Sequence, residues 1–406
     1  MHLLLIHQAL AAPNQPGGTR HYELGQHLIA RGHAMTVVTS DLNYMTGQAV
    51  ASRKGVFVRE DLDGIALLRA YTYPALHRSF VWRVVSFLSF MVSSLWAGLN
   101  AGPVDVVMGT TPPIFQAVTA WLVAALRRKP FLLEVRDLWP EFAIDMGVLR
   151  NPVLIRLSRW LESFLYSQAD HLLVNSPAYR DYLLHRGIPV AKVSMIPNGV
   201  EPGMFHPAER GTALRRQWGV EDKFVVMYAG AMGIANDLST LLRAANRLRD
   251  HVEIQFVIVG DGKERGNLQQ EAQALQLPNV LFAGSLPKAQ MPEALAAADA
   301  CVAILQNIPM FRTTYPNKVF DYMAAGRPTL LAIDGVIRRV VEDAVGGFFV
   351  PPGDDATLAE ATLVLASNPE LAHVMGENAS TYVRKHFDRG VQADEFVALV
   401  TRLSAG

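Results

Sequence analysis

The chain has 406 residues, which is enough for two or three domains, and half of its residues are hydrophobic. Its 37 basic and 37 acidic side chains cancel to a formal charge of zero, so the composition implies no general affinity for nucleic acid. A single cysteine, Cys301, excludes an internal disulfide framework and fits a reducing compartment.

The first predicted element is a β-strand in the opening apolar run LLLIHQALAA. This run could pass for the core of a signal peptide, but no basic region precedes it and His7 and Gln8 interrupt it. We therefore expect a first strand rather than a leader.

A glycine loop, PNQPGGT, comes next, then a predicted helix that ends at Arg31 and a second strand, MTVVTS. Gly17, Gly18 and Thr19 open that helix, where backbone amides can approach a ligand closely. A pair of turn glycines that binds nothing is the alternative interpretation. The loop is not G-x-G-x-x-G, so it carries no dinucleotide fingerprint.

The stretch Asp61-Leu62-Asp63 resembles an acidic metal-binding pair, but it lies between two strand-like runs and precedes Gly64. A β-hairpin turn is the prediction. His and Cys nowhere cluster at metal-ligand spacing, and we predict no metal requirement.

The segment Val84–Asn100 carries no charge and follows Arg83. Three interpretations compete: a buried helix, a helix that dips into a membrane face, and a true span, for which the segment is near the lower length limit. Basic residues nearby would suit an anionic membrane surface or an ordinary solvated helix face; they are Arg127, Arg128, Lys129, Arg150, Arg156 and Arg159, with Trp160 among them. We favour peripheral membrane contact.

Apolar runs alternate with helical patterns through both halves, which predicts parallel sheets with crossover helices. The further strands are DVVMG, FLLEVRD and HLLVNS in the first half, and FVVMYAG, EIQFVIVG, NVLFAG, ACVAIL and PTLLAI in the second. The turn Ile196–Pro207 interrupts the pattern, and Phe387–Leu403 looks like one amphipathic helix. We expect two Rossmann-like domains: residues 1–198 with a returning C-terminal helix, 387–406, and residues 199–386.

In open α/β sheets, ligands bind beyond the carboxyl ends of the strands. The tract EVRDLWPE ends such a strand and brings Glu134, Arg136 and Asp137 close together. They are candidates for substrate contact, and a structural ion pair is the alternative. Spacing alone does not say which of them takes part in proton transfer.

The loop GAMGIAN repeats the strand–glycine–helix arrangement in the second half. Gly230 and Gly233 would permit a phosphate-binding loop, although turn glycines need no ligand. Gly260 and Asp261 follow the next strand in the same way.

The stretch RTTYPNKVFDYMAAGRPTLL predicts a short helix, with Thr314 and Pro316 marking its start and an apolar run to Ala325 before Gly326 marking its end. Lys318 then lies in the first turn, where the helix dipole disfavours a cation by about 0.3–1 kcal/mol. An exposed pair with Asp321 would return only about 0.2–0.5 kcal/mol. A bound anion, held by the lysine and the helix amides together, is the sharper explanation.

The chain resembles the retaining glycosyltransferases of family 4, which have the GT-B fold, over nearly its whole length. The stretches that carry the resemblance are PGGTRHYELGQHLIARGHAMTVVTS, IPNGVEPGMF, VGDGKERGNLQQEA, NVLFAGSLPKAQMPEALAAADACVAIL and VFDYMAAGRPTLLAI. The combination of EVRDLWPE with YPNKVFDYMA is similar to the bacterial branch that builds surface polysaccharides, such as the fucosamine and colanic-acid transferases.

The resemblance implies two domains that face each other across a cleft, with a nucleotide sugar bound mainly by the second. It places Asp321, with Asn317 beside it, at the donor and implies that Asp321 binds the ribose hydroxyls. Thr313 stands where the family has a glutamate, and Arg136 stands where it often has a histidine. The GAMGIAN loop lacks the family's Arg and Lys, which leaves Lys318 to bind the diphosphate.

The resemblance further implies sugar transfer with retention, without metal or cofactor, from a donor that we expect to be a UDP-linked HexNAc or deoxy-HexNAc. The expected acceptor is a polyprenyl-diphosphate-linked saccharide at the inner face of the cytoplasmic membrane, in O-antigen or capsule synthesis. The expected location is therefore cytoplasmic and peripheral on that membrane, with no nucleic-acid partner. Two alternatives stay open: a nucleotide-sugar 2-epimerase of the same fold, and a non-catalytic partner that only binds a nucleotide sugar.

Overall fold

The computed structural model describes residues 1–10, 18–43, 47–50, 55–75, 80–207 and 211–406. The chain divides into two compact units. The N-terminal unit comprises Met1–Pro197 with Gly390–Gly406, and the C-terminal unit comprises Asn198–Arg389.

The N-terminal unit is built on an eight-stranded sheet in the order β3-β4-β2-β1-β5-β6-β7-β8. All neighbours are parallel except β3 and β4. The strands are β1 (His2–Ile6), β2 (Ala34–Ser40), β3 (Phe57–Leu62), β4 (Ile65–Ala70), β5 (Val106–Thr111), β6 (Phe131–Val135), β7 (His171–Val174) and β8 (Val193–Met195). The helices are α1 (Arg20–Ala30), α2 (Phe80–Leu99), α3 (Ile114–Arg127), α4 (Glu141–Asp145), α5 (Pro152–Gln168) and α6 (Pro177–His185).

The C-terminal unit has a six-stranded parallel sheet in the order β11-β10-β9-β12-β13-β14. Its strands are β9 (Phe224–Ala229), β10 (Ile254–Val259), β11 (Val280–Gly284), β12 (Ala300–Ile304), β13 (Thr329–Ala332) and β14 (Gly347–Phe349). Its helices are α7 (Thr212–Trp218), α8 (Leu238–Arg247), α9 (Arg265–Ala274), α10 (Met291–Ala296), α11 (Asn317–Ala324), α12 (Val336–Asp343), α13 (Asp355–Ser367) and α14 (Pro369–His386).

The last helix, α15 (Arg389–Ala405), belongs to the N-terminal unit from Gly390 onward. Ala393, Phe396 and Val400 of this helix lie in the same buried cluster as Leu3 of β1. The sequence predicts one tail helix over Phe387–Leu403. In the structure α14 ends at His386, and the tail helix α15 begins at Arg389. The chain crosses between the units at Asn198 and again at Arg389.

Central strands read as continuous apolar runs because helices cover a parallel sheet on both faces. Leu3, Leu4, Leu5 and Ile6 of β1 are fully buried, for example. The prediction of two parallel-sheet α/β domains is therefore confirmed. The strands β8 and β14 were not predicted, since three residues are too few to show a period.

The hairpin prediction is confirmed as well. β3 pairs antiparallel with β4, and Asp63 and Gly64 turn the chain at positive φ, 52° and 87°. The amide of Gly64 donates to Asp61 Oδ1 at 3.0 Å, so that carboxylate closes the turn.

The apolar segment Val84–Asn100 forms most of α2, which packs against α3, β2 and β4. One side of the helix is buried at Phe90 and Ala97, while Trp96 on the other side is 57% exposed. Among the described residues, no helix combines the length and apolar character needed to cross a bilayer.

Candidate functional site

The predicted helix is present as α11, Asn317–Ala324, which begins just after the start signal Pro316 and ends before Gly326. Val319, Phe320 and Tyr322 anchor it in the core. Lys318 leaves the opposite side of the first turn and reaches the end of β9. Its Nζ donates to Tyr228 Oη at 2.8 Å and to Asn236 Oδ1 at 3.2 Å.

The ammonium of Lys318 also lies 4.1 Å from the centre of the Tyr228 ring, on its face. Burial lowers the pKa of Lys318 to about 7. Among the described residues it has no carboxylate partner, so the ion pair with Asp321 is not formed. A cation whose two acceptors are neutral has capacity left for an anion.

The loop after β9 and the loop after β10 are adjacent because their strands pair. They approach so closely that a Cβ at Gly230 would lie 2.8 Å from Lys318 Nζ, and a Cβ at Gly260 would lie 1.9 Å from the Gly230 carbonyl oxygen. These two glycines are therefore required by the contact between loops and by Lys318. A Cβ at Gly233 would meet only ordinary contacts, the nearest being 3.8 Å away.

Some amides of the Gly230 loop are already used within the protein. Gly230 N donates to Val259 O at 2.9 Å, and Met232 N donates to Asp261 O at 2.8 Å. The amides of Gly233 and Ile234, just before α8, donate no hydrogen bond to another described residue.

The other residues predicted to bind the nucleotide sugar lie near the same edge of the sheet and differ in their exposure and hydrogen bonds. Asp261 is exposed and its carboxylate accepts from the amide of Gly262 at 2.7 Å and from Arg265 Nη1 at 3.1 Å. Asn317 is exposed at the start of α11, and Asp321 is half-buried one turn later. Thr313, which replaces the family's glutamate, donates its hydroxyl to Met310 O at 2.6 Å.

In the N-terminal unit, Glu134 is the penultimate residue of β6, and its side chain is 0% exposed. Its Oε1 accepts from Arg20 Nε at 3.0 Å, and its Oε2 lies 2.6 Å from His21 Nε2 and accepts from Thr110 Oγ1 at 2.9 Å. Burial would raise the pKa of this carboxyl, but His21 and Arg20 together hold it well below its usual range. The structural ion pair is the interpretation that fits Glu134, and an acceptor hydroxyl has no exposed oxygen to meet there.

Arg136 and Asp137 are partly exposed beyond the end of β6. Arg136 Nε donates to Thr111 O at 3.2 Å and lies 3.9 Å from Glu134 Oε2. Asp137 Oδ1 accepts from Tyr179 Oη at 3.4 Å, and burial raises the pKa of Asp137 to about 6. Asp137 is thus partly accessible to solvent and has a pKa of about 6, close to neutral pH.

The first glycine loop is only partly described. Gly17 lies outside the described residues. Gly18 has open space where a Cβ would be, and Thr19 is buried before α1, with its hydroxyl donating to Glu23. Among the described residues, no three His, Cys, Asp or Glu side chains form a group that could hold a metal ion.

Four residues at these sites were missed by sequence reasoning: Tyr228 and Asn236 beside Lys318, and Arg20 and His21 beside Glu134. Tyr228 sits in an apolar strand run and gives no local signal. Arg20 and His21 follow the Gly-Gly-Thr loop directly, so two cations at the start of a helix were an available clue, of the same kind as Lys318.

Two family models match the chain. The Glycosyl transferase 4-like domain matches residues 17–199, and the Glycosyl transferases group 1 model matches residues 212–382.

Curated relatives agree with these matches. Over 261 residues the chain is 27% identical to a probable glycosyltransferase, WbjE, of Pseudomonas aeruginosa, covering 63% of this chain and 64% of that protein. It is 26% identical to a putative colanic acid biosynthesis glycosyl transferase, WcaI, of Escherichia coli, covering 75% and 76%. The chain thus spans slightly less than two thirds of the length of WbjE.

Solved structures share the fold at low identity. A sucrose-phosphate synthase from Thermosynechococcus elongatus superposes with a TM-score of 0.76 at 20% identity, over 100% of this chain and 99% of that one. Anabaena HepE in complex with UDP-glucose superposes with a TM-score of 0.73 at 18% identity, over 99% of both chains.

Two parallel-sheet units, with the last helix returning to the first, define the GT-B class of fold. Within that class, the chain belongs to family 4 of the glycosyltransferases.

Proposed function

We propose that this protein transfers a sugar from a nucleotide sugar to a lipid-linked saccharide during synthesis of a surface polysaccharide. The names of WbjE and WcaI support the reaction class, and the name of WcaI, a colanic acid biosynthesis glycosyl transferase, supports the pathway. The UDP-glucose complex of HepE supports a uridine nucleotide as the donor's carrier. The observation that carries the proposal is the ammonium of Lys318 at the glycine loops, whose hydrogen-bond partners among the described residues are both neutral.

The donor diphosphate binds to Lys318 and to the amides of Gly233 and Ile234. Loss of the nucleoside diphosphate leaves negative charge on the phosphates, and fixed donors aimed at that charge are worth most in the transition state. The site acts without metal or further cofactor, and transfer retains the anomeric configuration. Asp321 accepts from the ribose hydroxyls.

The sugar of the donor lies over a shallow, open cavity at the carboxyl ends of β12 and β13. Gln306, Arg312 and Asp334 are among the residues that line it. The amide of Gln306 donates to Ala235 O at 2.9 Å, so this cavity adjoins the Gly230 loop. Charged and amide side chains suit the hydroxyls of a sugar better than an apolar ligand.

The acceptor hydroxyl is oriented by Asp137, with Arg136 beside it. Of the two candidate carboxylates at this strand end, Asp137 is partly exposed and Glu134 is buried. We therefore restrict the acceptor role to Asp137.

The lipid of the acceptor brings the protein to an anionic membrane surface through its N-terminal unit. The helix α5 exposes Val153, Leu154, Leu157 and Trp160, which follow each other along one side, and Trp160 is 63% exposed. α3, which packs against both α5 and α2, exposes Leu126, and α2 exposes Trp96. Exposed Arg156 of α5 supplies the positive charge that an anionic headgroup requires.

Calorimetric binding of UDP, GDP and ADP in EDTA tests the donor site. We expect selective UDP binding that weakens at least tenfold in Lys318→Ala. The exposed Lys263, on the loop after β10, supplies the matched control, and Lys263→Ala should bind as wild type does. Folded protein that binds no nucleotide, or equal affinity in both variants, would refute the donor site.

Product analysis separates the proposed transfer from its alternatives. Incubation with a UDP-sugar and a polyprenyl-diphosphate-linked saccharide should give a longer lipid-linked product. Conversion of the donor without any acceptor would identify an epimerase. Tight UDP binding without transfer to any acceptor would identify a binding partner.

Vesicle sedimentation tests the membrane surface. We expect binding to vesicles rich in phosphatidylglycerol, weaker binding to phosphatidylcholine alone, and loss of binding in the double variant Leu157→Ser, Trp160→Ser. Val252 of the C-terminal unit is 74% exposed, so Val252→Ser controls for the loss of any exposed apolar side chain. Unchanged binding of the double variant would exclude α5 as the contact.

A further inference from the structure

We infer that Tyr228 is a positioning residue for Lys318: it holds the ammonium beside the Gly230 loop and sets the pH limit above which the site releases a diphosphate. This inference rests on the proposed role of Lys318 in donor binding. In the proposed site, Tyr228 itself touches no substrate and acts only through the lysine.

The hydroxyl of Tyr228 donates one hydrogen bond and accepts another. The side chain is fully buried at the end of β9, and its hydroxyl donates to the carbonyl of Ala231 at 2.7 Å. Because the hydroxyl proton is used there, the oxygen is left to accept, and it accepts from Lys318 Nζ. The same residue thus ties the lysine to the loop whose amides face the proposed diphosphate.

The ring of Tyr228 adds a second contact that prefers the charged lysine. Nζ lies 4.1 Å from the ring centre, within the range of a cation–π interaction, which a neutral amine does not make. Burial raises the pKa of the Tyr228 phenol, so the ring stays neutral over the range in which Lys318 titrates.

Other charged groups at these strand ends have partners of their own. The carboxylate of Asp261 pairs with Arg265, and that of Asp237 accepts from Thr240 Oγ1 at 2.6 Å. Asp321, one turn along α11, makes no ion pair with Lys318. The neutral acceptors Tyr228 and Asn236 are therefore what retains the proton on Lys318 before a donor arrives.

Tyr228→Phe keeps the ring and removes the accepting oxygen. Hydrogen bonds to a charged donor are about twice as strong as neutral ones, so the lysine should lose its proton about tenfold more easily, a shift of about one pH unit. UDP affinity should be within about twofold of wild type at pH 5.5, and about tenfold weaker than wild type at pH 8.

The test is calorimetric UDP binding from pH 5.5 to pH 8.5 in EDTA for wild type and Tyr228→Phe. The titration of UDP itself is common to both proteins and cancels in the ratio of affinities. Tyr322→Phe is the matched control, because the Tyr322 hydroxyl donates to Ala229 O at 3.0 Å in the same core without touching Lys318. The ratio of the UDP affinity of Tyr322→Phe to that of wild type should be the same at every pH.

A second variant moves the pH limit in the opposite direction and lies in a loop, where folding is at less risk. Asn236→Asp would place a carboxylate beside the ammonium, so UDP affinity should persist to higher pH than in wild type. A constant ratio for Tyr228→Phe across the pH range, or an unmoved limit in Asn236→Asp, would overturn the inference and leave the donor site intact. Failure of wild type to bind UDP at any pH would instead overturn the proposed function, and this inference with it.

Discussion

Lys318→Met should stabilise the C-terminal unit at acidic pH although it removes the proposed ligand for the diphosphate. Burial lowers the pKa of Lys318 from 10.5 to about 7. Between these values the unfolded chain binds the proton and the folded one does not, so the lysine's contribution to stability rises with pH. Its penalty is complete below pH 7 and is relieved as the pH rises toward 10.5.

The size of the effect follows from the shift. A difference of about 3.5 pKa units at 1.36 kcal/mol each gives an upper limit of about 5 kcal/mol at pH 6, which falls to about 2 kcal/mol at pH 9. Water that reaches the partly exposed side chain reduces both values. We therefore expect the gain from Lys318→Met to be about 1–3 kcal/mol larger at pH 6 than at pH 9.

Urea unfolding at both pH values measures this gain. Hydrogen exchange in the peptide that covers α11 measures the stability of the C-terminal unit separately. Groups that titrate elsewhere cancel when the variant is compared with wild type at the same pH. Lys263→Met, at an exposed position, should change stability by no more than about 0.5 kcal/mol at either pH. An equal gain at pH 6 and pH 9, or a variant less stable than wild type at pH 6, would contradict this prediction.

Three further outcomes are expected. Gly260→Ala should weaken UDP binding at least tenfold because its Cβ would meet the Gly230 carbonyl, whereas Gly266→Ala in α9, where a Cβ meets nothing within 4 Å, should leave binding unchanged; equal affinities in calorimetry would contradict this. Glu134→Gln should cost about 3–5 kcal/mol in urea unfolding because it leaves Arg20 buried without its carboxylate, and a loss below about 1 kcal/mol would remove the structural role. Because burial raises the pKa of Asp137 to about 6, the transfer rate should fall as the pH drops through 6 in wild type but not in Asp137→Asn, and an acid limb that persists in the variant belongs to another group.

Sequence alone predicted most of the sheet. Ten of the strands were predicted from apolar runs, and two more from the strand-like runs beside Gly64. The apolar runs are unbroken where helices cover both faces of the sheet. The helix α11 was predicted from equally local signals, since Pro316 marks its start and Gly326 its end within about ten positions. The two short strands, β8 and β14, carry no such pattern and are held by their neighbours in the sheet.

The sequence also raised the question that led to the donor site, by placing Lys318 in a first turn where a cation is unfavourable. It could not supply the answer within the protein. Tyr228 and Asn236 stand 90 and 82 positions away from Lys318 along the chain, and they meet it only because α11 packs beside the end of β9.

The buried carboxylate of Glu134 shows the same division. Its type and its place at the end of a strand were evident, and two roles stayed open. Arg20 and His21 arrive from 114 and 113 positions away and close the carboxylate from solvent. Periodicity and turn chemistry are local and can be read along the chain, whereas the partners of a charged group are chosen by packing between distant elements, which only the tertiary structure decides.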